Sequence, residues 1–139
     1  MRTTLLAGVA AVGLLLVLAP RALLAHHAFN SEFDAQRPVK FKGTVTKMLW
    51  VNPHAWIYVD VKKPDGSTEE WMVEAGTPNT LLRRGFTKQS LLPGTEISVD
   101  GYQSKDGSRR ANGRDLTLPD GRTLFLGSAG TGAPDEEKK

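Results

Sequence analysis

Apolar and polar residues alternate along most of the chain from residue 39 to residue 126, with the period of two that is typical of half-buried β-strands. The first such run covers residues 39–51. Four apolar residues mark its predicted core face: Val39, Phe41, Val45 and Val51. Gly43 in the interior of the run predicts a bend or bulge. Asn52-Pro53 ends the run, because proline cannot donate to a central ladder.

The next two runs are predicted to form a hairpin that turns at Pro64-Asp65-Gly66, where proline starts the turn and glycine supplies a positive φ. A loop closed by Lys63 and Ser67 sets the register of the two strands. That register gives four cross-strand pairs: Val59 with Trp71, Ile57 with Val73, Tyr58 with Met72, and Trp56 with Glu74. We predict that the first two pairs are buried. The other two pairs then lie on an opposite face that is unusually aromatic.

A short helix is predicted after the hairpin, with Thr77 as its N-cap, Pro78 at its first position and Gly85 beyond its end. Further strands are predicted at residues 96–101, 112–118 and 123–126. Up to residue 118 the order is three strands, a helix and two strands, which is that of an OB-fold, a five-stranded, partly open barrel; the run at residues 123–126 is a short strand that follows. The predicted fold class is therefore mainly β, a small five-stranded OB-fold-like barrel with one short helix between strands three and four. A generic β-roll or an incomplete sandwich is the structural alternative.

The first 25 residues have the features of a cleavable signal peptide. Arg2 gives a positive start, residues 5–19 form an uncharged apolar run, and Ala25 puts a small residue at the expected cut. That run has 15 residues, whereas a membrane-spanning helix needs about 20. An uncleaved membrane anchor and a cut after Ala28 are the alternatives. Cleavage would deliver the protein to the periplasm or outside the cell, with no membrane segment left.

The rest of the chain divides into an arm, one domain and a tail. Residues 26–38 have no clear period and form the predicted N-terminal arm, in which Phe29 and Phe33 are spaced to pin one helical turn against the body. Residues 39–127 form the predicted OB-like β-barrel domain. Residues 128–139 contain too little apolar surface to fold, so a disordered tail is expected.

Charge and cysteine content narrow the possible functions. The sequence has 18 basic and 15 acidic side chains and a pI near 9.3, but Arg2 and Arg21 leave with the signal. The mature chain is then almost neutral. It lacks the concentrated basic stripe that nucleic-acid binding needs, so no nucleic-acid partner is predicted. Because there is no cysteine, disulfides are excluded. The sequence also has no glycine-rich phosphate loop and no recognisable nucleophile, so an enzyme is not predicted.

Three histidines, His26, His27 and His54, are the only strong transition-metal ligands in this cysteine-free chain. If cleavage follows Ala25, the mature protein begins with His26, whose α-amine and imidazole Nδ1 can close a six-membered chelate. A third nitrogen from His54 would complete a planar or T-shaped set that suits Cu(II). His27 either ligates as well or points outward. The leading hypothesis is a copper site built from these histidines. The alternatives are terminal histidines without a function and a His54 that only bonds a loop carbonyl.

A non-catalytic binding module in the periplasm is the competing hypothesis. Its aromatic outer face would contain four residues: Trp50, Trp56, Tyr58 and Met72. OB barrels often bind ligands across strands two and three, so this face fits a peptide, a glycan or another ligand. Alternatively, the arm or the last strand covers these rings. Five carboxylates are interpreted as solvated surface: Glu32 and Asp34 on the arm, and Glu69, Glu70 and Glu74 on strand three.

Four segments carry a resemblance to a known family: HHAFNSEFD at the mature start, KGTVTKMLWVNPHAWIYVDV, LLRRGFTKQSLLPGTEISVDGYQSKDGS and LPDGR. In these segments the chain resembles a family of exported bacterial proteins that is carried as a domain of unknown function. The resemblance covers roughly residues 26–126. It implies an exported, single-domain, β-rich protein whose marked positions correspond to His26, His27 and His54. It implies no activity.

Overall fold

The computed structural model describes residues 28–127, which form two short helices and six strands. In chain order the elements are α1 (Ala28–Glu32), β1 (Phe33–Leu49), β2 (Trp56–Lys62), β3 (Thr68–Glu74), α2 (Pro78–Arg83), β4 (Glu96–Ser104), β5 (Arg110–Thr117) and β6 (Thr123–Phe125). The mainly β class is confirmed, and α2 lies between the third and fourth strands as predicted. Neither of the helices in this part of the chain has the length and apolar character needed to cross a membrane. The predicted signal peptide, His26, His27 and the predicted tail lie outside the described residues.

All six strands belong to one sheet, in the order β3-β2-β1-β4-β5-β6. An additional pairing between β3 and β5 joins the first five strands into a ring, and β6 extends from β5. The β3–β5 pairing is parallel, and the other neighbours are antiparallel. Strand β1 is 17 residues long, which is long enough for it to pair with two neighbours. Its first part pairs with β4 and its last part with β2. Thr44 pairs with both, opposite Asp60 on β2 and Glu96 on β4.

Gly43 lies where β1 passes from one neighbour to the other. A Cβ atom at this position would lie 2.5 Å from the Asp60 carbonyl oxygen and 2.6 Å from Val59 Cγ1. Both distances are shorter than real contacts, so glycine is required for the close approach of β1 and β2. The bulge predicted at this glycine lies further along the strand, because the register shifts between Val45 and Lys47.

The hairpin of β2 and β3 has the predicted turn and all four predicted cross-strand pairs. Ile57, Val59 and Val73 are fully buried, as predicted. Trp71 is only half-buried, which corrects the prediction. Its ring packs 4.8 Å from that of Phe41, and its Nε1 donates to Glu69 Oε1 at 2.9 Å. The paired part of β5 covers β3 only from position 72 onward, so the edge of the core at Trp71 stays open to water.

Two expectations about β1 were wrong. The strand begins at Phe33 rather than at Val39, so the last part of the predicted arm is strand that pairs with β4. Val51 was predicted on the core face but is exposed, because the strand ends at Leu49 and its alternation ends with it. The helical turn predicted around Phe29 is confirmed as α1.

One main core fills the inside of the ring. Its buried members are Val45, Ala55, Ile57, Val59, Val73, Ala75, Leu81, Phe86, Leu91, Ile97, Val99, Leu116, Leu118 and Leu126. Helix α2 contributes Leu81, and its start is fixed by Thr77, whose hydroxyl accepts from the Thr80 amide at 3.1 Å. We call the side of the sheet that faces away from this core the outer face. The candidate site lies there.

Candidate functional site

His54 lies just before β2, with its side chain against the last residue of β3. Its Nδ1 donates to Glu74 Oε1 at 2.9 Å, and the two side chains are 24% and 9% exposed. Backbone hydrogen bonds from Ala55 to the Gly76 carbonyl and from Ala75 to the Ala55 carbonyl hold the two segments together. The partner of His54 is therefore a buried carboxylate, and not a loop carbonyl.

Glu74 is buried because β3 pairs with β5. Residue 74 is opposite Asn112 in that parallel pair, and the Asn112 amide lies 3.5 Å from Glu74 Oε1. Across the outer face, four directly opposed residues follow one another from β4 to β2: Tyr102, Asn112, Glu74 and Trp56. We call these four residues the site row. His54 thus bonds to the middle of a row that crosses four strands.

The pKa of His54 is raised above its usual 6.5, chiefly because Glu74 accepts its hydrogen bond. Partial burial acts in the opposite direction, and the negative charges of Glu74 and Glu32 raise the pKa further. When the imidazole is neutral, a carboxylate on Nδ1 selects the tautomer that carries its proton there. Nε2 then has a lone pair that can be donated to a metal ion.

Helix α1 lies on the outer face beside the site row. Phe29 meets the ring of Tyr102 edge-on at 5.5 Å. Glu32 forms an ion pair with Arg110 at 3.0 Å, and the Arg110 guanidinium lies 5.4 Å above the ring of Trp56. The N-terminal end of the described chain is therefore joined to both ends of the site row. Glu32 is also near enough for its charge to act on His54.

The four residues of the predicted aromatic face do not all come together. Tyr58 and Met72 are directly opposed on the outer face, and Trp56 is on the same side of β2. Trp50 packs on the main core instead and stacks on Phe86 at 6.3 Å. Cations cover two of the outer rings, since Arg110 lies over Trp56 and the Lys47 ammonium is 4.1 Å from the centre of the Tyr58 ring.

The sequence interpretation missed the role of Glu74, which was assigned to a solvated surface. The predicted hairpin register contained a signal for it, since it put Glu74 opposite Trp56 and therefore close to His54. Glu32, also assigned to solvated surface, pairs with Arg110. Among residues 28–127, no group of three or more histidine, aspartate or glutamate side chains is arranged to hold a metal ion. His26 and His27, the other two predicted metal ligands, lie outside this range.

Comparison with known proteins gives a family but no activity. The sequence profile of a family of unknown function, DUF6152, matches residues 14–113. The matched range includes His26, His27, His54 and Glu74. No curated protein matches the chain.

Proposed function

The chain belongs to this family, and because the family is one of unknown function, we propose a function from the geometry of the site. The exported protein binds a copper ion through the α-amine and imidazole of a mature N-terminal His26 together with Nε2 of His54. His27 is a further ligand or an outward-facing neighbour. The protein is not an enzyme in this proposal.

The hydrogen bond from His54 to Glu74 is the observation that carries the proposal. Histidines that bind metals almost always donate their other ring N–H to a carboxylate, a carbonyl or water, which fixes the ring and makes the ligating nitrogen more basic. His54 has this arrangement with a carboxylate that is 9% exposed.

The position of α1 supports the contribution of His26. His26 is two residues before Ala28 in the sequence. Ala28 begins the helix whose Phe29 contacts Tyr102 of the site row and whose Glu32 pairs with Arg110, which lies over Trp56. Residue 28, where the described chain begins, therefore belongs to a helix on the same face of the sheet as His54.

The available donors favour copper. The chain has no thiolate to offer, and the proposed set consists of one amine and two or three imidazole nitrogens. Three nitrogen donors in a planar or T-shaped arrangement suit Cu(II), which prefers square-planar or tetragonal sites. Structural zinc sites are tetrahedral and usually have four protein ligands.

Export and a defined cut are part of the proposal. We propose that residues 1–25 are a signal peptide and that the protein works in the periplasm or outside the cell. The measurement is the intact mass of the exported protein. A mass corresponding to a start at His26 supports the chelate, whereas a start at Phe29 removes both tandem histidines and ends it.

We also propose that the ring of five strands is an OB-like barrel. Closure by a parallel β3–β5 pair and a helix between β3 and β4 both support it. In such barrels the face of strands two and three often binds ligands; His54 lies just before β2, and Glu74 is the last residue of β3. A solved structure in which β1, β3 and β5 do not enclose one common core would contradict this assignment.

The decisive experiment is a competition titration of the mature protein with Cu(II). His54→Ala and addition of one alanine before His26 should each weaken binding by more than about tenfold, and Glu74→Gln by about 10–100-fold, as is usual for partners of metal ligands. Val51→Ala changes an exposed residue near His54 and serves as the matched control. The alanine extension leaves every side chain in place, so unchanged affinity would show that the terminal amine is not a ligand. Unchanged affinity in His54→Ala would contradict the proposal as a whole.

A second candidate is a binding module that uses the outer face. It is favoured by the three half-buried residues Trp56, Tyr58 and Met72, which share that face. Lys47 and Arg110 beside the rings suit a partner with negative groups. Thermal unfolding with Cu(II), Cu(I), Zn(II) and Ni(II) separates the two candidates, because a ligand of the native state raises stability by mass action. If none of these ions shifts the unfolding temperature, the binding module is the better explanation.

A further inference from the structure

Residues 77–95, between β3 and β4, cover one end of the ring. This segment contributes three fully buried side chains to the main core: Leu81, Phe86 and Leu91. Because the five strands surround that core, a segment outside the sheet reaches it through an end of the ring. Two backbone hydrogen bonds attach its last part to β1, from Val45 to the Thr95 carbonyl and from Gly94 to the Val45 carbonyl. We call residues 77–95 the cover segment.

The outward side of the cover segment carries exposed leucines. Leu82 and Leu92, each of which directly follows a buried leucine, are 50% and 59% exposed. In the part of the chain that the structure describes, the only other exposed large hydrophobic residue is Val51, at 47%. Its neighbour Trp50 stacks on Phe86 of the cover segment. The exposed large apolar side chains of the described chain therefore lie in or beside the cover segment, at one end of the ring.

The charged residues of the cover segment are all positive. They are Arg83, Arg84 and Lys88, and all three are exposed. Arg84 donates to the backbone carbonyls of Phe125 and Gly127, which attaches it beside β6. Arg83 and Lys88 form no ion pair with any of the described residues. The cover segment therefore presents two cations that no carboxylate of the described chain neutralises.

The nearest carboxylates along the chain are already paired. Glu74 accepts the hydrogen bond of His54, and Glu96 lies 3.4 Å from the Lys42 ammonium. Exposed leucines beside unbalanced cations are typical of segments that lie on anionic membranes. Two copies that met through this surface would set like charges opposite each other. Leucine is also under-represented among the side chains that dominate protein–protein interfaces, so the combination favours a lipid surface over a protein.

We propose that the cover segment docks the protein on an anionic lipid membrane. Leu82 and Leu92 enter the boundary between the headgroups and the acyl chains, and Arg83 and Lys88 lie at the lipid phosphates. This contact needs no membrane-spanning helix. It uses neither copper nor any of the three histidines, so it goes beyond the proposed function and does not depend on it.

Each exposed side chain contributes a limited factor to the affinity for the membrane. About half of each leucine remains to be buried, so its insertion should raise the affinity by about 3–10-fold. A lysine or arginine close to an anionic surface contributes about fivefold. Two leucines and two cations together give a reversible, peripheral association, and not a permanent anchor.

The test is co-sedimentation of the mature protein with vesicles of phosphatidylcholine, either alone or with added phosphatidylglycerol. We expect binding to the phosphatidylglycerol vesicles that weakens at high salt, because salt screens exposed charges. Vesicles of phosphatidylcholine alone should bind about 25-fold more weakly, since the contribution of two cations is lost. Absence of binding to phosphatidylglycerol vesicles at low salt would overturn the proposal.

Two kinds of variant separate the apolar contribution from that of charge. Leu82→Gln and Leu92→Gln should each weaken binding to phosphatidylglycerol vesicles by about 3–10-fold, and Arg83→Gln and Lys88→Gln by about fivefold each. Lys62→Gln is the matched control, since Lys62 is exposed at the hairpin end of β2 and should leave binding close to that of the wild type. All five residues are exposed, so the unfolding temperature should change little in any variant.

Other occupants of this surface would give different results. Binding that needs Arg83 and Lys88 but is unchanged in both leucine variants would mean attraction to any anionic partner, and would overturn the assignment to a membrane. Wild-type binding in all four variants would show that another surface contacts the lipid. A dimer in analytical ultracentrifugation that Leu82→Gln dissociates would show that a second copy, and not a membrane, occupies the cover segment.

Discussion

At the scale of single residues, the pair of His54 and Glu74 should make the stability of the metal-free protein depend on pH. The pKa of His54 is raised in the folded state, so its contribution is fully present below the unfolded pKa of about 6.5 and is lost as the pH rises through the folded pKa. Between pH 6 and pH 9, the free energy of unfolding measured with urea should therefore fall more in the wild type than in Glu74→Gln. If the free energy of unfolding decreased equally in the two proteins, Glu74 would not be the group that holds the proton on His54.

The sequence indicated the histidine at this site but not its partner. His54 was distinctive because the chain has only three histidines and no cysteine. Glu74 follows the period of an outward-facing residue on β3, and that period correctly gives its side of the sheet. Its burial depends on pairing with Asn112, 38 positions further along. Local patterns contain no information about a contact over that distance.

At the scale of elements, the cap of α2 should have a measurable effect. Thr77→Ala removes the hydroxyl that accepts from the Thr80 amide, and loss of an N-cap typically costs about 1 kcal/mol. Thr68→Ala, at the exposed start of β3, removes the same atoms without removing a cap and should stay within about 0.5 kcal/mol of the wild type. Urea unfolding compares the two variants. Equal stability would mean that α2 is held by its packing alone.

Trp71 gives a second test at this scale, because it lies at the open edge of the core. A fully buried tryptophan costs about 3–5 kcal/mol when it is replaced by alanine. Half-burial of Trp71 and its contact with Phe41 lead us to expect about 2 kcal/mol for Trp71→Ala. Ile57→Ala, in the closed part of the core, should cost about 3–4 kcal/mol. The reverse order in urea unfolding would show that the edge is more tightly packed than the centre.

The sequence predicted the middle elements better than the first one. The turn and the register of the hairpin were predicted to the residue, because the turn residues and the alternation specify one register. The start of β1 was missed because Asp34, Gln36 and Arg37 are polar and Pro38 interrupts the pattern. Pairing with β4 makes this segment a strand in spite of its composition. The tertiary contact with β4, and not the local sequence preference, therefore makes this segment a strand.

At the scale of the whole molecule, closure of the ring depends on the space at Gly43. Gly43→Ala puts a Cβ atom 2.5 Å from the Asp60 carbonyl oxygen, and overpacking of this kind usually costs about 1–3 kcal/mol. Lys42→Ala is the neighbouring control, since Lys42 is exposed and its ion pair with Glu96 is also exposed. It should change stability by less than about 1 kcal/mol. Similar unfolding midpoints in the two variants would mean that β1 and β2 can move apart at no cost.

The parallel pair of β3 and β5 also has a consequence for the order of events during folding. The β2–β3 hairpin pairs residues that are close in sequence. The parallel pair of β3 and β5 instead joins Met72 to Arg110, which lies much further along the chain. Contacts between distant residues form slowly because a long loop has to close first. Until then Glu74 is open to water, even where the hairpin has already brought it close to His54. The site therefore becomes buried late in folding, and a chain that ends before β5 would contain both residues without Asn112 beside them.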